Sequence, residues 1–600
     1  MSSRRWSSVR LWGELFALSW RADRPQVVML LGLKLVSACT TAALALSTRA
    51  VIDQALAGHS TEAMVMAGCA ALAAAATVLG PSLETHLSVI VADSVAQLHL
   101  EPRIQRFLAS VETLEHLEHS DFLDRVTVLD HASWKLTHGL WSVIDVVFAG
   151  LRLLLLMLLL GTVSPVLLPL LVAAGVALAL DQHGQRGVAR AETDTAESFR
   201  LQRHLFTLAT QAATSKEIWV AGVGGELARR QRAAWDEAVV RRTAARLRSA
   251  GWRLGGWLMF SLCFTAGLVL VLRLAATGRA SAGDVVLTLT VAVALRDSVQ
   301  SALVRAGVAL NAGTYVEPYL WLRDYVARHR QTGQRLPAPA VLRDGIAFEG
   351  VTFTYPGTVR PVLDDVSFHL AAGSVVAIVG EFGSGKTSLV KLLTKFYTPD
   401  AGTIRVDGTD LSDLDTEAWR SRCSAAFQDF GRFRIRFAET VGLGDLPHAD
   451  AAGRLADAVA AADADGLVRR LPNGMDTQLG RLFGGVELSG GQWQKTALAR
   501  ASMRQGPLLF VLDEPTASLD APSEGAILER YMVRARELAA RTGAVTVIVS
   551  HRFSTIAGAD QILVFGAGRI MEAGTHAELL ALGGRYADLY GIQARAYTAN

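Results

Sequence analysis

Six long apolar runs crowd the first 310 residues of this 600-residue chain, and they limit its possible folds more than any other feature. They are Val27–Ala50, Ala63–Val78, Val143–Leu160, Pro165–Leu180, Trp257–Ala276 and Val285–Leu310. About 20 mostly apolar residues carry a helix across the hydrocarbon core of a bilayer, so each run reads as a membrane span. Runs longer than one crossing imply tilt or extension into water. Short links join the runs in pairs, at Asp53–Glu62, Gly161–Pro165 and Thr277–Asp284. Two long polar stretches, Thr85–Trp141 and Asp181–Arg253, separate the pairs and hold arginines such as Arg103, Arg106, Arg125, Arg190, Arg229 and Arg241. An excess of Arg and Lys marks the cytoplasmic side, which puts the N-terminus, both long stretches and the chain after the sixth run there. The opening MSSRRWSSVR lacks the small-residue cleavage site of a removable signal.

Composition agrees with a chain that is half membrane and half soluble. Hydrophobic residues make up 51% and charged residues 19%, with mean hydropathy +0.29; a soluble domain carries about 25% charged residues. A net charge of +3 gives no basic excess for nucleic acid. Cys39, Cys69, Cys263 and Cys423 form no CxxC pair and are expected as small buried hydrophobes.

The long stretches show helical periodicity and are expected to prolong the spans. Each has a turning point, at Glu118–Asp124 (EHSDFLD) and Ala221–Glu226 (AGVGGE). Those turns are either contacts for a cytoplasmic motor or plain solvated turns. Lys34, Arg296, Asp297 and Gln300 fall inside spans, where charge is costly and usually faces a bundle interior or a wet cavity. Arg296 and Asp297 read as lining a substrate path, or else as snorkelling or paired between helices. Arg49, Arg152 and Arg273 lie nearer span ends and read as snorkelling.

Between Arg328 and Pro339 the polar RHRQTGQRLPAP reads as a linker. Beyond it, short β-type runs such as Ile346–Thr354 and Val375–Val379 alternate with helical ones, the pattern of a layered α/β domain. Gly380–Ser388 (GEFGSGKTS) follows the apolar run Ser374–Val379 and precedes the helical run Leu389–Phe396. This is the strand–loop–helix context of a phosphate-binding loop. Backbone N–H groups of Gly380, Glu381, Phe382, Gly383, Ser384, Gly385 and Ser388 would wrap phosphates at a helix N-terminus. Lys386 would neutralise the β- and γ-phosphates and Thr387 would hold Mg²⁺. Leu508–Glu514 (LLFVLDE) reads as a buried strand ending in two carboxylates, near the end of a neighbouring phosphate-loop strand. Asp513 would bind Mg²⁺ and Glu514 would activate the attacking water.

Leu488–Gln492 reads LSGGQ and opens a helical run ending in ALARA. It resembles the signature motif of ABC ATPases. In that family Ser489, Gly490, Gly491 and Gln492 would grip the γ-phosphate held by the opposite motor. The resemblance extends to Tyr355 in FTYPG as the adenine-stacking aromatic and to Gln428 in AAFQDF as the glutamine reaching Mg²⁺ and water. It further extends to Asp520 in Ser518-Leu519-Asp520, a loop coupling two sites, and to His551 in VIVSHR at the γ-phosphate. Tyr355 and His551 are also compatible with ordinary packing. Glu381 and Phe382 depart from the usual small loop residues, and Arg481 stands where many exporters place a glutamate.

The whole chain resembles an ABC exporter half-transporter. The implied fold class is a six-helix membrane domain (1–327), a linker (328–340) and an α/β phosphate-loop ATPase domain of the ABC type (341–600). The resemblance implies ATP and Mg²⁺ as cofactors and a multi-pass place in the cell membrane, with the N-terminus and ATPase domain cytoplasmic. It implies a dimer, a homodimer or one with a similar half-transporter, in contact with membrane lipid. The expected activity is ATP-driven export of a hydrophobic, amphipathic or peptide-like compound. Alternatives are an importer of the same architecture, such as one for siderophores, an ATP-gated channel, or a soluble ABC ATPase.

Overall fold

The computed structural model describes every residue except 1, 131, 168, 330–334, 516–520, 552–555 and 599–600. It divides into two compact units, Met1–Phe107 with Val126–Asp324, and Leu108–Arg125 with Tyr325–Asn600.

The first unit is helical throughout, as apolar runs must be where no water can satisfy the backbone. Among the described residues, five helices are long and apolar enough to cross a membrane: Arg24–Leu56, Ser60–Ala109, Ala132–Val163, Pro165–Asp194 and Gly224–Ala276. The run read as a sixth span lies in a 48-residue helix, Ala282–His329. Arg296, Asp297 and Arg305 interrupt its apolar stretch, and it is not one of the five. The polar stretches continue the spans as helix: Gly224–Ala276 runs 53 residues from Arg-rich turns into its apolar end. Pro81 and Pro318 lie inside helices, and a π-turn over Ala96–Leu100 loosens the ladder below the second span. Gly139 permits the tightest packing: a Cβ there would stand 2.1 Å from that of Ala312, so helices Ala132–Val163 and Ala282–His329 meet only because it has none. Of the four cysteines only Cys423 is buried; Cys39, Cys69 and Cys263 lie exposed, contrary to the expectation of core residues.

The second unit is built on two sheets. Its strands are β1 (Gly345–Phe353), β2 (Leu363–Ala371), β3 (Val375–Gly380), β4 (Ala401–Val406), β5 (Thr409–Asp410), β6 (Cys423–Ala426), β7 (Leu509–Asp513), β8 (Val545–Val549), β9 (Gln561–Gly566) and β10 (Arg569–Gly574). The larger sheet runs β10-β9-β3-β8-β7-β6, parallel from β9 to β6 with β10 antiparallel at the edge. The smaller is an antiparallel sheet, β2-β1-β4-β5. A parallel sheet covered on both faces needs unbroken apolar strands, and β3, β7 and β8 supply them. On one face Val375, Ala377, Val379, Phe510, Leu512 and Ile548 pack against helices. On the other, Val376, Ile378, Leu509, Val511, Val547 and Val549 pack with Ile346, Phe348 and Ile404 of the smaller sheet.

The first turning point belongs to this second unit. The chain breaks at His119 between helices Glu115–Glu118 and Ser120–Leu129. Leu114 donates its N–H to the Phe396 carbonyl at 3.0 Å and packs on the core. The Tyr397 hydroxyl donates to the Glu118 carboxylate, and Arg420 donates to the Glu112 carbonyl. The second turning point lies in the first unit, where Gly222 ends helix Ala212–Ala221 with φ 64°.

Trp419 is fully buried, and its indole N–H donates to the Leu393 carbonyl at 2.8 Å, holding the end of helix Lys386–Leu393. Trp419→Phe keeps an aromatic ring but leaves that carbonyl without the bond, at a cost of about 1–3 kcal/mol. We expect a lower apparent Tm for the purified chain.

Candidate nucleotide-binding and catalytic site

The phosphate loop springs from the carboxyl end of β3, where α/β sheets place their ligands. Helix Lys386–Leu393 follows it directly, capped by Gly385 at φ 104°. A Cβ at Gly385 would stand 2.8 Å from the Val362 carbonyl, so both the conformation and the space demand glycine. Lys386 is 8% exposed and folds back across the loop, its Nζ donating to the carbonyls of Gly380 at 2.9 Å and Glu381 at 2.8 Å. Burial lowers the Lys386 pKa, while Glu514 and Asp513 act against that shift. The loop's acid turns away from this centre: the Glu381 carboxylate pairs with Arg585 of helix Arg585–Thr598. Phe382 is 85% exposed, with its ring 6.3 Å from that of His551.

The two carboxylates stand at the end of β7. That strand is not the neighbour of β3, as the sequence suggests; β8 lies between them and pairs with both. The insertion brings His551, just beyond β8, between loop and carboxylates. Glu514 has φ 50°, a left-handed conformation that costs a non-glycine residue about 1–3 kcal/mol. Four partners hold it there. Its N–H donates to the Val549 carbonyl at 2.9 Å, and its own carbonyl accepts from Gln494 Nε2 at 3.1 Å. Its carboxylate accepts from Gln428 Nε2 at 3.0 Å and lies 3.5 Å from His551 Nδ1.

Asp513 is 2% exposed, and among the described residues neither carboxylate oxygen has a partner in full hydrogen-bond geometry. Burial first, and the charge of Glu514 second, push its pKa up to about 6; the Thr387 hydroxyl and Lys386 act in the opposite sense. A buried carboxylate beside a threonine hydroxyl at a helix N-terminus fits a hard cation.

Tyr355 bonds through its hydroxyl to Ser388 at 3.0 Å, and Lys391 Nζ lies 4.9 Å from its ring centre. Ser489 caps helix Gly490–Ala501: its hydroxyl accepts from the Gln492 N–H, and the Gln492 side chain accepts from the Ser489 N–H. Gly490 and Gly491 form the first turn of that helix. Among the described residues no hydrogen bond or ion pair joins Ser489–Gln492 to the phosphate loop. The structure thus gathers Gly380–Ser388, Asp513, Glu514, Gln428 and His551, and leaves the LSGGQ cap apart from them. Asp520, with Ser518 and Leu519, lies outside the described residues. Sequence reasoning misses Gln494, whose only signal is its place one turn into the LSGGQ helix.

Residues 363–517 match the family model described as ABC transporter. A solved structure titled "Structure of a bacterial Atm1-family ABC exporter with ATP bound" superposes with TM-score 0.75 at 24% identity, covering 95% of this chain and 98% of that one. By family model residues 363–517 carry an ABC transporter domain, and the chain as a whole has the fold of that solved structure, with helices long and apolar enough to cross a membrane ahead of the ABC domain. Among curated proteins, an ATP-dependent lipid A-core flippase of Burkholderia orbicola (strain AU 1054) is 43% identical over 260 residues, which is 43% of this chain and 41% of the flippase. One of Xylella fastidiosa (strain 9a5c) is 38% identical over 333 residues, 55% of this chain and 54% of that protein. The chain thus spans about half the length of the curated relatives it matches.

Gly385→Ala places a Cβ against a carbonyl at a φ that L-residues avoid, which distorts the loop. ATP affinity, read by titration with a fluorescent nucleotide, should fall at least about tenfold, equivalent to 1.4 kcal/mol.

Proposed function

We propose that this chain is one half of an ATP-driven exporter of an amphipathic compound, two copies closing their ATPase domains around MgATP. The observation that carries this reading is the convergence of phosphate loop, buried Asp513, strained Glu514, Gln428 and His551 at the carboxyl ends of one sheet. In this reading Glu514 accepts a proton from the attacking water, and Gln428 and His551 hold its carboxylate in place. Lys386 leaves its loop carbonyls to meet the phosphates, and Tyr355 stacks on adenine. Asp513, Thr387 and Gln428 would hold Mg²⁺, which would neutralise charge building on the phosphates. The cap at Ser489–Gln492, separate from its own loop, is suited to the γ-phosphate of a second copy, and this supports a dimer.

The names of the relatives support export over import: the curated proteins are called flippases, and the solved one an exporter. The five apolar helices set aside the soluble-ATPase alternative. The docking of residues 112–118 on the ATPase core supports hydrolysis coupled to helix movement over a channel opened by ATP alone. The Arg-rich ends of the helices support a cytoplasmic position for the ATPase domain.

Lys386→Ala should abolish ATP-dependent uptake by inside-out vesicles. Glu514→Gln should retain ATP binding while hydrolysis falls about 10²–10⁴-fold, the usual span for a lost general base. Wild-type hydrolysis in Glu514→Gln would refute the assigned role.

The raised Asp513 pKa gives a second test. A metal ligand must be deprotonated, so affinity follows the ionised fraction. As pH falls below about 6, the Mg²⁺-dependent part of ATP binding should weaken about tenfold per unit. Binding of ATP in EDTA should not share that slope; nucleotide titrations between pH 5 and 8 make the comparison.

A further inference from the structure

Six ionisable groups from four helices of the first unit line a cavity of about 730 Å³, a size that suits a small molecule. They fall into two groups at different depths. Asp145 pairs with Lys34, and at 3.0 Å with Arg305; two cations share one anion. The Lys34 and Asp145 side chains are buried, and Arg305, 39% exposed, carries the surplus positive charge. Seven residues further along the Asp145 helix comes Arg152, whose Nη2 donates to Ser301 at 3.1 Å. Arg152 lies within electrostatic reach of Glu84 and Asp297, so here one cation faces two anions. Glu84 Oε1 and Arg152 Nε are buried and lack hydrogen-bond partners among the described residues.

Seven helical residues span about 10 Å, and the eight from Asp297 to Arg305 on the opposing helix about 12 Å. The cavity is therefore a dipole, one charge in excess at each pole, with apolar wall such as Phe148, Leu289 and Val293 as well. Uncompensated charge is expensive in such a place and is neutralised by a partner of opposite sign. A purely anionic or cationic ligand would balance one pole and leave the other. Arg296 takes no part: its guanidinium stands 5.9 Å from the Trp257 ring centre.

We propose that this cavity binds an amphipathic zwitterion whose opposite charges lie about 10 Å apart, its anionic group against Lys34 and Arg305 and its cationic group against Glu84 and Asp297. The assignment rests on the exporter reading, in which the helical unit carries the transported solute, and it narrows that solute's class. An apolar tripeptide with free ends is a fitting probe, since three extended residues reach about 10 Å.

The full chain in lipid nanodiscs, without nucleotide, is titrated with the free tripeptide Leu-Phe-Leu, its N-acetyl form and its C-terminal amide. The free peptide should bind at least about tenfold tighter than either blocked form. Asp297→Asn should weaken the free peptide to the level of the N-acetyl form, and Arg305→Gln to the level of the amide. Equal binding of the free peptide and one blocked form to the wild-type chain overturns the proposal, as does no binding by any of the three. The wild-type series decides even if a variant fails to fold. A chain that hydrolyses MgATP yet shows no preference refutes only the cavity assignment. A chain that prefers the free peptide but never hydrolyses MgATP refutes only the exporter reading.

Discussion

The in-register stacking of β3, β8 and β7 underlies everything at the nucleotide site. Ile378 pairs with Val549, and Val549 with Asp513, so three strand ends stand at one level. That level is fixed because each strand buries side chains on both faces; a slip of one residue would turn every side chain of the slipped strand to the opposite face. From this platform the phosphate loop, His551 and Glu514 leave the sheet side by side. Without it, Gln428 and His551 would have no fixed carboxylate to hold, and the left-handed turn at Glu514 would relax.

The site stores two kinds of cost. Glu514 holds backbone strain, offset by hydrogen bonds to Val549, Gln494 and Gln428. Asp513 holds electrostatic cost, visible in its raised pKa. The sign matters: a carboxylate whose folded pKa lies above its unfolded value destabilises the fold once pH exceeds the unfolded value, and the cost is complete above the folded one. At neutral pH the chain carries that cost in full, and a cation bound between Asp513 and Thr387 would relieve it. Ligand affinity and fold stability are thereby linked.

Much of this is legible in local sequence patterns. Strand, loop and helix around Gly380–Ser388 are adjacent in sequence, and so are the LSGGQ cap and its helix. What stays hidden depends on contacts between distant segments. Nothing local says that β8 inserts between β3 and β7, and so the two read as neighbours. Glu381 looks out of place beside phosphates because its partner, Arg585, lies some two hundred residues away. Arg152 reads as snorkelling from its position along a span, whereas its helix turns it into the cavity beside Ser301. Arg49, which reads the same way, is tied at 3.0 Å to Asp284 on another helix. Periodicity reports that a helix has two faces; it does not report which neighbour each face meets.

The same distinction explains how the ATPase core can move a segment that lies far from it in sequence. Arg420 sits on helix Thr416–Ser421, immediately before β6, and donates to the carbonyls of Thr394, Lys395 and Glu112. Past β6 the chain reaches Gln428, whose amide holds Glu514. One stretch from 420 to 428 therefore grips the segment at Glu112 with one end and the Glu514 carboxylate with the other. Because β6 is paired in register with β7, the stretch cannot absorb a displacement by slipping. A shift of Gln428 would be carried through β6 to Arg420 and so to residues 112–118, which Tyr397 and the Phe396 carbonyl also hold. The segment is fastened by these polar contacts together with Leu114, which packs on the apolar core.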